Sequence, residues 1–173
     1  MPLRFLIVGT LTGGLALSLL GWFTAGILPP RFRPFKDPHA VVEAIRANVS
    51  ENDIYTAPQG LFVAVSLRPD LSSPLQPFAP HILGQFVVEF AVALCLSVLL
   101  LATPIRSPLP AAGFFGLIGL AAGLEMHFPE WNWAGFPMSH LLAGTGYLAV
   151  NWFVTGLVLG AVRRKIDSPR ITG

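Results

Sequence analysis

Four long stretches of the chain carry almost nothing but apolar residues, and a segment of mixed character separates the first from the second. The apolar stretches cover residues 5–28, 82–102, 109–125 and 141–162. A helix rising ~1.5 Å per residue needs about 20 such residues to cross a hydrocarbon layer of roughly 30 Å. In lipid every backbone polar group must be paired within its own segment. None of the stretches alternates with the period of two that a barrel strand requires, so all four are predicted as spanning helices. The first holds no charge and the second holds one, Glu89. The third is short and is closed by Glu125 and His127, and the fourth stops at Arg163-Arg164-Lys165. The first run is longer than the ~7–15 residues of a signal-peptide core, so it is predicted to be a retained helix.

Residues 29–80 form the one sizeable extramembrane segment. It opens with prolines that block helix. Asp37-Pro38 then supplies a cap and a first-turn proline for a helix reaching about Asn48, with Val41, Val42, Ile45 and Val49 on its apolar side. Residues 53–57 and 61–67 read as strands joined by a turn at Pro58-Gln59-Gly60. The predicted fold is an all-α membrane protein of four transmembrane helices. A small α+β segment, one helix plus a β-hairpin, lies between the first and second, and residues 1–173 form a single integral membrane domain.

Composition strengthens this picture. Of 173 residues, 53% are apolar and 12% charged, about half the charge of an ordinary soluble domain. That argues against a soluble enzyme and a disordered chain. The net charge is only +2, and no basic stripe interleaved with aromatics points to nucleic acid. Cys95 is the single cysteine, which excludes a disulfide framework or a cysteine zinc site. No phosphate-binding loop, nucleophile elbow, zinc-protease motif or dinucleotide fingerprint occurs, so neither catalysis nor a cofactor is expected.

With four spans, Arg4, Arg106, Arg163, Arg164, Lys165 and Arg170 share one side, and Arg31, Arg33, Lys36, Arg46 and Arg68 share the other. The Arg-Arg-Lys stop, and the lack of any Lys or Arg in residues 128–139, tilt this near-balance. Both termini are expected in the cytoplasm of a bacterium, with residues 29–80 on the outer side of its inner membrane. The cluster Arg31, Arg33, Lys36 argues the other way.

The polar residues inside the spans are ordered. His81, Gln85, Glu89, Ala93 and Ser97 recur every four residues, and His140, Gly144, Tyr147, Asn151 and Thr155 form a second stripe. Polar stripes avoid lipid, so both should face the bundle interior. Gln85, Glu89, Tyr147 and Asn151 are expected to form a buried polar network. His81, Glu125, His127 and His140 lie near one interface, with Glu130 in the connecting loop. Imidazoles and carboxylates at one level have metal-ligand chemistry. Amphipathic rings also collect at interfaces without any ligand. Glu89 is a candidate proton carrier, or else glue between helices, bonded to Asn151, Tyr147 or His140.

Gly9-x-x-x-Gly13, Gly119-x-x-x-Gly123 and Gly156-x-x-x-Gly160 fall in three different spans. Small residues let helices approach closely, either within this bundle or against a membrane-protein partner docking on a glycine-lined face. The aromatics Phe128, Trp131, Trp133 and Phe136, between His127 and His140, suit a headgroup-layer anchor.

The order of features is itself suggestive. A span ends Gly21-Trp22-Phe23-Thr24-Ala25-Gly26-Ile27-Leu28-Pro29, followed by Phe35-Lys36-Asp37 and a helix. Ile54-Tyr55 then precedes the strand Phe62-Val63-Ala64-Val65-Ser66-Leu67-Arg68-Pro69, and three spans follow with a Trp131-Asn132-Trp133 loop. This resembles a group of small bacterial inner-membrane proteins without an assigned activity, and it implies no functional residues. The function expected from the sequence is a non-enzymatic accessory or structural subunit of a larger membrane complex, such as a respiratory or photosynthetic electron-transfer assembly. The alternatives are a small transporter or proton-translocating protein centred on Glu89, and a metal- or cofactor-binding membrane protein using His81, His127 and His140.

Overall fold

A computed structural model describes residues 2–27, 35–51, 53–56, 62–65 and 78–168. Its elements, in chain order, are α1 (Pro2–Ile27), α2 (Pro38–Asn48), β1 (Asp53–Thr56), β2 (Phe62–Val65), α3 (Phe78–Leu101), α4 (Pro108–Asn132) and α5 (Met138–Asp167). Four of these, α1, α3, α4 and α5, are long and apolar enough to cross a membrane. The protein is a helical, multi-pass membrane protein with a two-stranded antiparallel sheet between its first and second spans.

The chain divides into two compact units, Pro30–Pro80 and the remainder. In the smaller unit Asp37 caps α2, its carboxylate accepting from the Ala40 N–H at 3.0 Å, with Pro38 in the first turn. β1 and β2 pair antiparallel with Asp53 opposite Val65 and Thr56 opposite Phe62. The expected turn at Pro58-Gln59-Gly60 and the prolines before Phe35 lie outside the described residues.

In the larger unit, small residues set the packing. A Cβ added at Gly119 would stand 2.6 Å from the carbonyl oxygen of Leu148, and one at Gly123 would stand 2.7 Å from Cα of Thr145. Gly156 and Gly160 meet the backbone of Ala111 and Pro108 at 2.7 and 2.6 Å in the same sense. α4 and α5 therefore run backbone against backbone, a spacing that glycine permits and larger residues forbid. On α1, Gly9 and Gly13 abut Ser97 and Ala93 of α3 and Leu159 of α5. All six motif glycines are buried against helices of this same chain. Phe5, Leu96, Leu100, Ala111, Phe115 and Leu159 form a buried apolar cluster toward the end where α1 begins and α5 finishes. The candidate chemistry lies in the other half.

One boundary differs from the sequence expectation. The third span does not close at 125: α4 continues to Asn132. Glu125, His127 and Glu130 are thus helical residues, and Glu130 does not sit in a loop. Pro129 lies inside this helix, where it forfeits only one i→i−4 bond in the last turn. The Trp133 N–H closes the end by donating to the Pro129 carbonyl at 2.8 Å. The tight link into α5 then uses a positive φ of 71° at Gly135, which glycine adopts at no steric cost.

Candidate functional site

Two polar sites occur among the described residues of the membrane unit. The first is built around Glu89, midway along α3 and only 8% exposed. One turn earlier, the side-chain amide of Gln85 donates to Glu89 Oε1 at 2.9 Å, as the i, i+4 spacing allows. From α1, the Ser18 hydroxyl meets Glu89 Oε2, and the same hydroxyl lies 2.9 Å from the carbonyl oxygen of Gly14. Opposite, Tyr147 of α5 brings its hydroxyl toward the same spot. A Cβ on Gly21 would be 3.2 Å from Tyr147 Oη and 3.3 Å from Glu89 Oε1. The missing side chain at Gly21 leaves room for both groups. Gly21, Trp22, Gln85, Glu89 and Tyr147 line a cleft of about 450 Å³. The rings of Trp22 and Phe86 pack beside it with centroids 6.2 Å apart.

Both polar stripes turn inward along most of their length. On α3, Glu89, Ala93 and Ser97 are buried; on α5, Asn151 and Thr155 are. Gln85, Glu89 and Tyr147 line one cleft, but of the expected buried network only Glu89 and Asn151 are buried; Tyr147 is half-buried and Gln85 exposed, because the cleft is open at their level. Asn151 is buried a turn further along, where its carbonyl accepts from the Thr155 hydroxyl at 2.8 Å and its side-chain oxygen has no partner among the described residues. Ser18 is the partner that the sequence did not single out. Its one signal is position, as the polar residue of Gly14-x-x-x-Ser18, a small-residue spacing in the part of α1 beyond Arg4, which holds no charge.

The second site joins the last turn of α4 to the first turn of α5. His127 and Glu130 are i, i+3 neighbours on α4, and His127 Nδ1 lies 2.7 Å from Glu130 Oε2. His140 Nε2 approaches the same oxygen at 2.9 Å. The two imidazoles stand edge to face with centroids 5.3 Å apart, and Phe136 packs its ring against His140 at 5.0 Å. One nitrogen from each histidine and a carboxylate oxygen all fall within 4.8 Å of one another. The ring of His127 seats over Gly144, where a Cβ would stand 2.3 Å from its Nε2. Of the residues expected at this interface, the structure brings His127 and His140 together. The carboxylate is Glu130; Glu125 is exposed on α4. The His81 side chain lies outside the described residues.

A third buried polar group is structural. Arg163 of α5 is 5% exposed and donates to the carbonyl oxygens of Leu100 and Thr103, the latter at 3.1 Å. It thereby caps the C-terminal end of α3.

No protein-family model matches this chain, and no curated protein or solved structure matches it.

Proposed function

We propose that this protein carries protons within the membrane, with Glu89 as the carrier. The observation that supports this is a count of hydrogens. Ser18 has one hydroxyl hydrogen, yet its oxygen lies within bonding reach of two acceptors, the Gly14 carbonyl and Glu89 Oε2. With Glu89 ionised, one of these two contacts has no hydrogen. With a proton on Oε2 the chain closes: Glu89 donates to Ser18, Ser18 donates to Gly14, and Gln85 donates to Oε1. The cleft beside Glu89 and Tyr147 offers the route by which that proton is gained and lost.

Glu89→Gln separates carriage from glue. A glutamine preserves both hydrogen bonds, because its amide donates to Ser18 and its oxygen accepts from Gln85, but it cannot exchange a proton. In proteoliposomes with an internal pH dye and a potassium-diffusion potential, the wild type acidifies the interior and the variant does not. Equal flux in the two, or none in the wild type, refutes the proposal. That result would leave the accessory or structural subunit of a larger membrane assembly as the reading.

The same proposal sets the chain in a bacterial inner membrane with both termini cytoplasmic. Arg163 is occupied as a helix cap, so the remaining Lys and Arg are level at five against five. Support for the orientation therefore rests on Arg164-Lys165 in the last turn of α5 and on the absence of Lys and Arg from residues 128–139.

A further inference from the structure

We propose that His127, Glu130 and His140 form a binding site for a divalent first-row transition ion. The proposal does not depend on Glu89 and goes beyond the proton reading. The donor set is two imidazoles and one carboxylate, which suits zinc, iron, cobalt or nickel better than magnesium or calcium. The three donor atoms lie within 4.8 Å of one another. Metal–ligand bonds of about 2.0–2.2 Å place neighbouring donors roughly 3–3.5 Å apart, so small rotations of three side chains would bring them onto one ion. Glu130 Oε2 already faces both rings. The donors come from two helices held backbone to backbone at Gly123 and Thr145, so the scaffold beneath the site is rigid.

Gly144 supplies a second, independent observation. The His127 ring occupies the space where a side chain at 144 would begin, so this glycine sets the position of a donor it never bonds. His127, Glu130 and His140 keep 16%, 38% and 36% of their side-chain surface exposed. Three protein donors at a partly open position leave coordination sites for water or for a ligand arriving from the membrane surface.

An ion would take the lone pair of each imidazole nitrogen that faces Glu130 Oε2, and a hydrogen on that nitrogen would move to the other ring nitrogen or to solvent.

The test uses tag-free, full-length protein in detergent, with Co²⁺ as the probe because its visible d–d absorption reports nitrogen and oxygen donors. The wild type is expected to bind one equivalent with an intense visible band that Zn²⁺ abolishes. Glu130→Gln and His140→Ala each remove a donor and should weaken binding by ~10-fold or more. Gly144→Ala keeps all three donors but displaces His127, and should weaken binding by about tenfold. His39→Ala, on α2, should leave it unchanged. Should Glu130→Gln fail to fold, Gly144→Ala and His140→Ala carry the test. A wild type without the band overturns the site, as does a band that survives His140→Ala. A fall in thermal stability in Glu130→Gln with no Co²⁺ band in the wild type identifies a latch between helices, and that also overturns it.

Discussion

The guanidinium of Arg163, on α5, donates to the carbonyl oxygen of Leu100 at the end of α3. A second bond reaches Thr103, and Asp167 lies 3.7 Å from Arg163 Nε while itself accepting from Arg106 at 2.8 Å. The last carbonyls of a helix have no partner within it, and here a neighbouring helix provides one. Arg163→Met keeps the aliphatic stem but takes the guanidinium from both carbonyls; Leu100 still accepts from the N–H and hydroxyl of Thr103, so the Thr103 carbonyl is the one left bare. The expected loss is about 2–3 kcal/mol, typical of hydrogen bonds from a charged group, read as a lowered unfolding midpoint in detergent. Arg163→Lys should recover only part of it, because a single ammonium does not match a planar fork. Asp167→Asn should cost much less, since Arg106 is two-thirds exposed and surface pairs contribute little.

Ser18→Ala tests the hydrogen chain from its far end. Interhelical hydrogen bonds in membranes contribute about 0.6 kcal/mol on average, so the stability loss should be small. Function should suffer more, because Glu89 Oε2 loses its partner on α1. The infrared C=O band of a protonated carboxyl should be present in the wild type, shifted in Ser18→Ala and absent in Glu89→Gln. A wild type without that band contradicts a proton on Glu89.

Glycines of the bundle should divide into two classes. A methyl group at Gly119 or Gly156 collides with backbone of the facing helix, and overpacking of this kind costs roughly 1–3 kcal/mol. Gly146 has nothing within 4 Å, so Gly146→Ala should be neutral or stabilise by up to about 1 kcal/mol through helix propensity. Unfolding midpoints of Gly119→Ala, Gly156→Ala and Gly146→Ala give the comparison directly.

Orientation is open to chemical labelling. Trp133→Cys, in the α4–α5 link, and Ser168→Cys, after α5, lie at opposite ends of α5. An impermeant maleimide should label position 133 in cells with a permeable outer membrane, and position 168 only in inverted vesicles. Both variants are made on a Cys95→Ala background, because Cys95 is exposed on α3. The reverse pattern would invert the proposed topology.

The four spans were legible because a long apolar run has one solution in lipid. Inward faces were legible too: the repeat of four through Glu89, Ala93 and Ser97 marks the buried side of α3, whatever packs there, while Gln85 one turn earlier is exposed. The residue that packs there was not legible. Nothing along α1 states that Ser18 lies level with Glu89, since the offset between helices is set by side-chain volumes and link lengths together. The end of α4 was misplaced for a related reason. Polar residues and Pro129 look like a stop, yet at the last turn a proline forfeits little, and the helix carries Glu130 round to His140. A carboxylate five residues from the expected one thus completes the histidine pair.

The seam between α4 and α5 has a consequence for traffic across the bilayer. Where Gly119 and Gly123 rest on the main chain of their neighbour there is no lumen, not even for a single water molecule. Any permeation through one copy of this chain is therefore kept out of that seam and left to the side of α5 that carries Tyr147, where the cleft between α1, α3 and α5 lies.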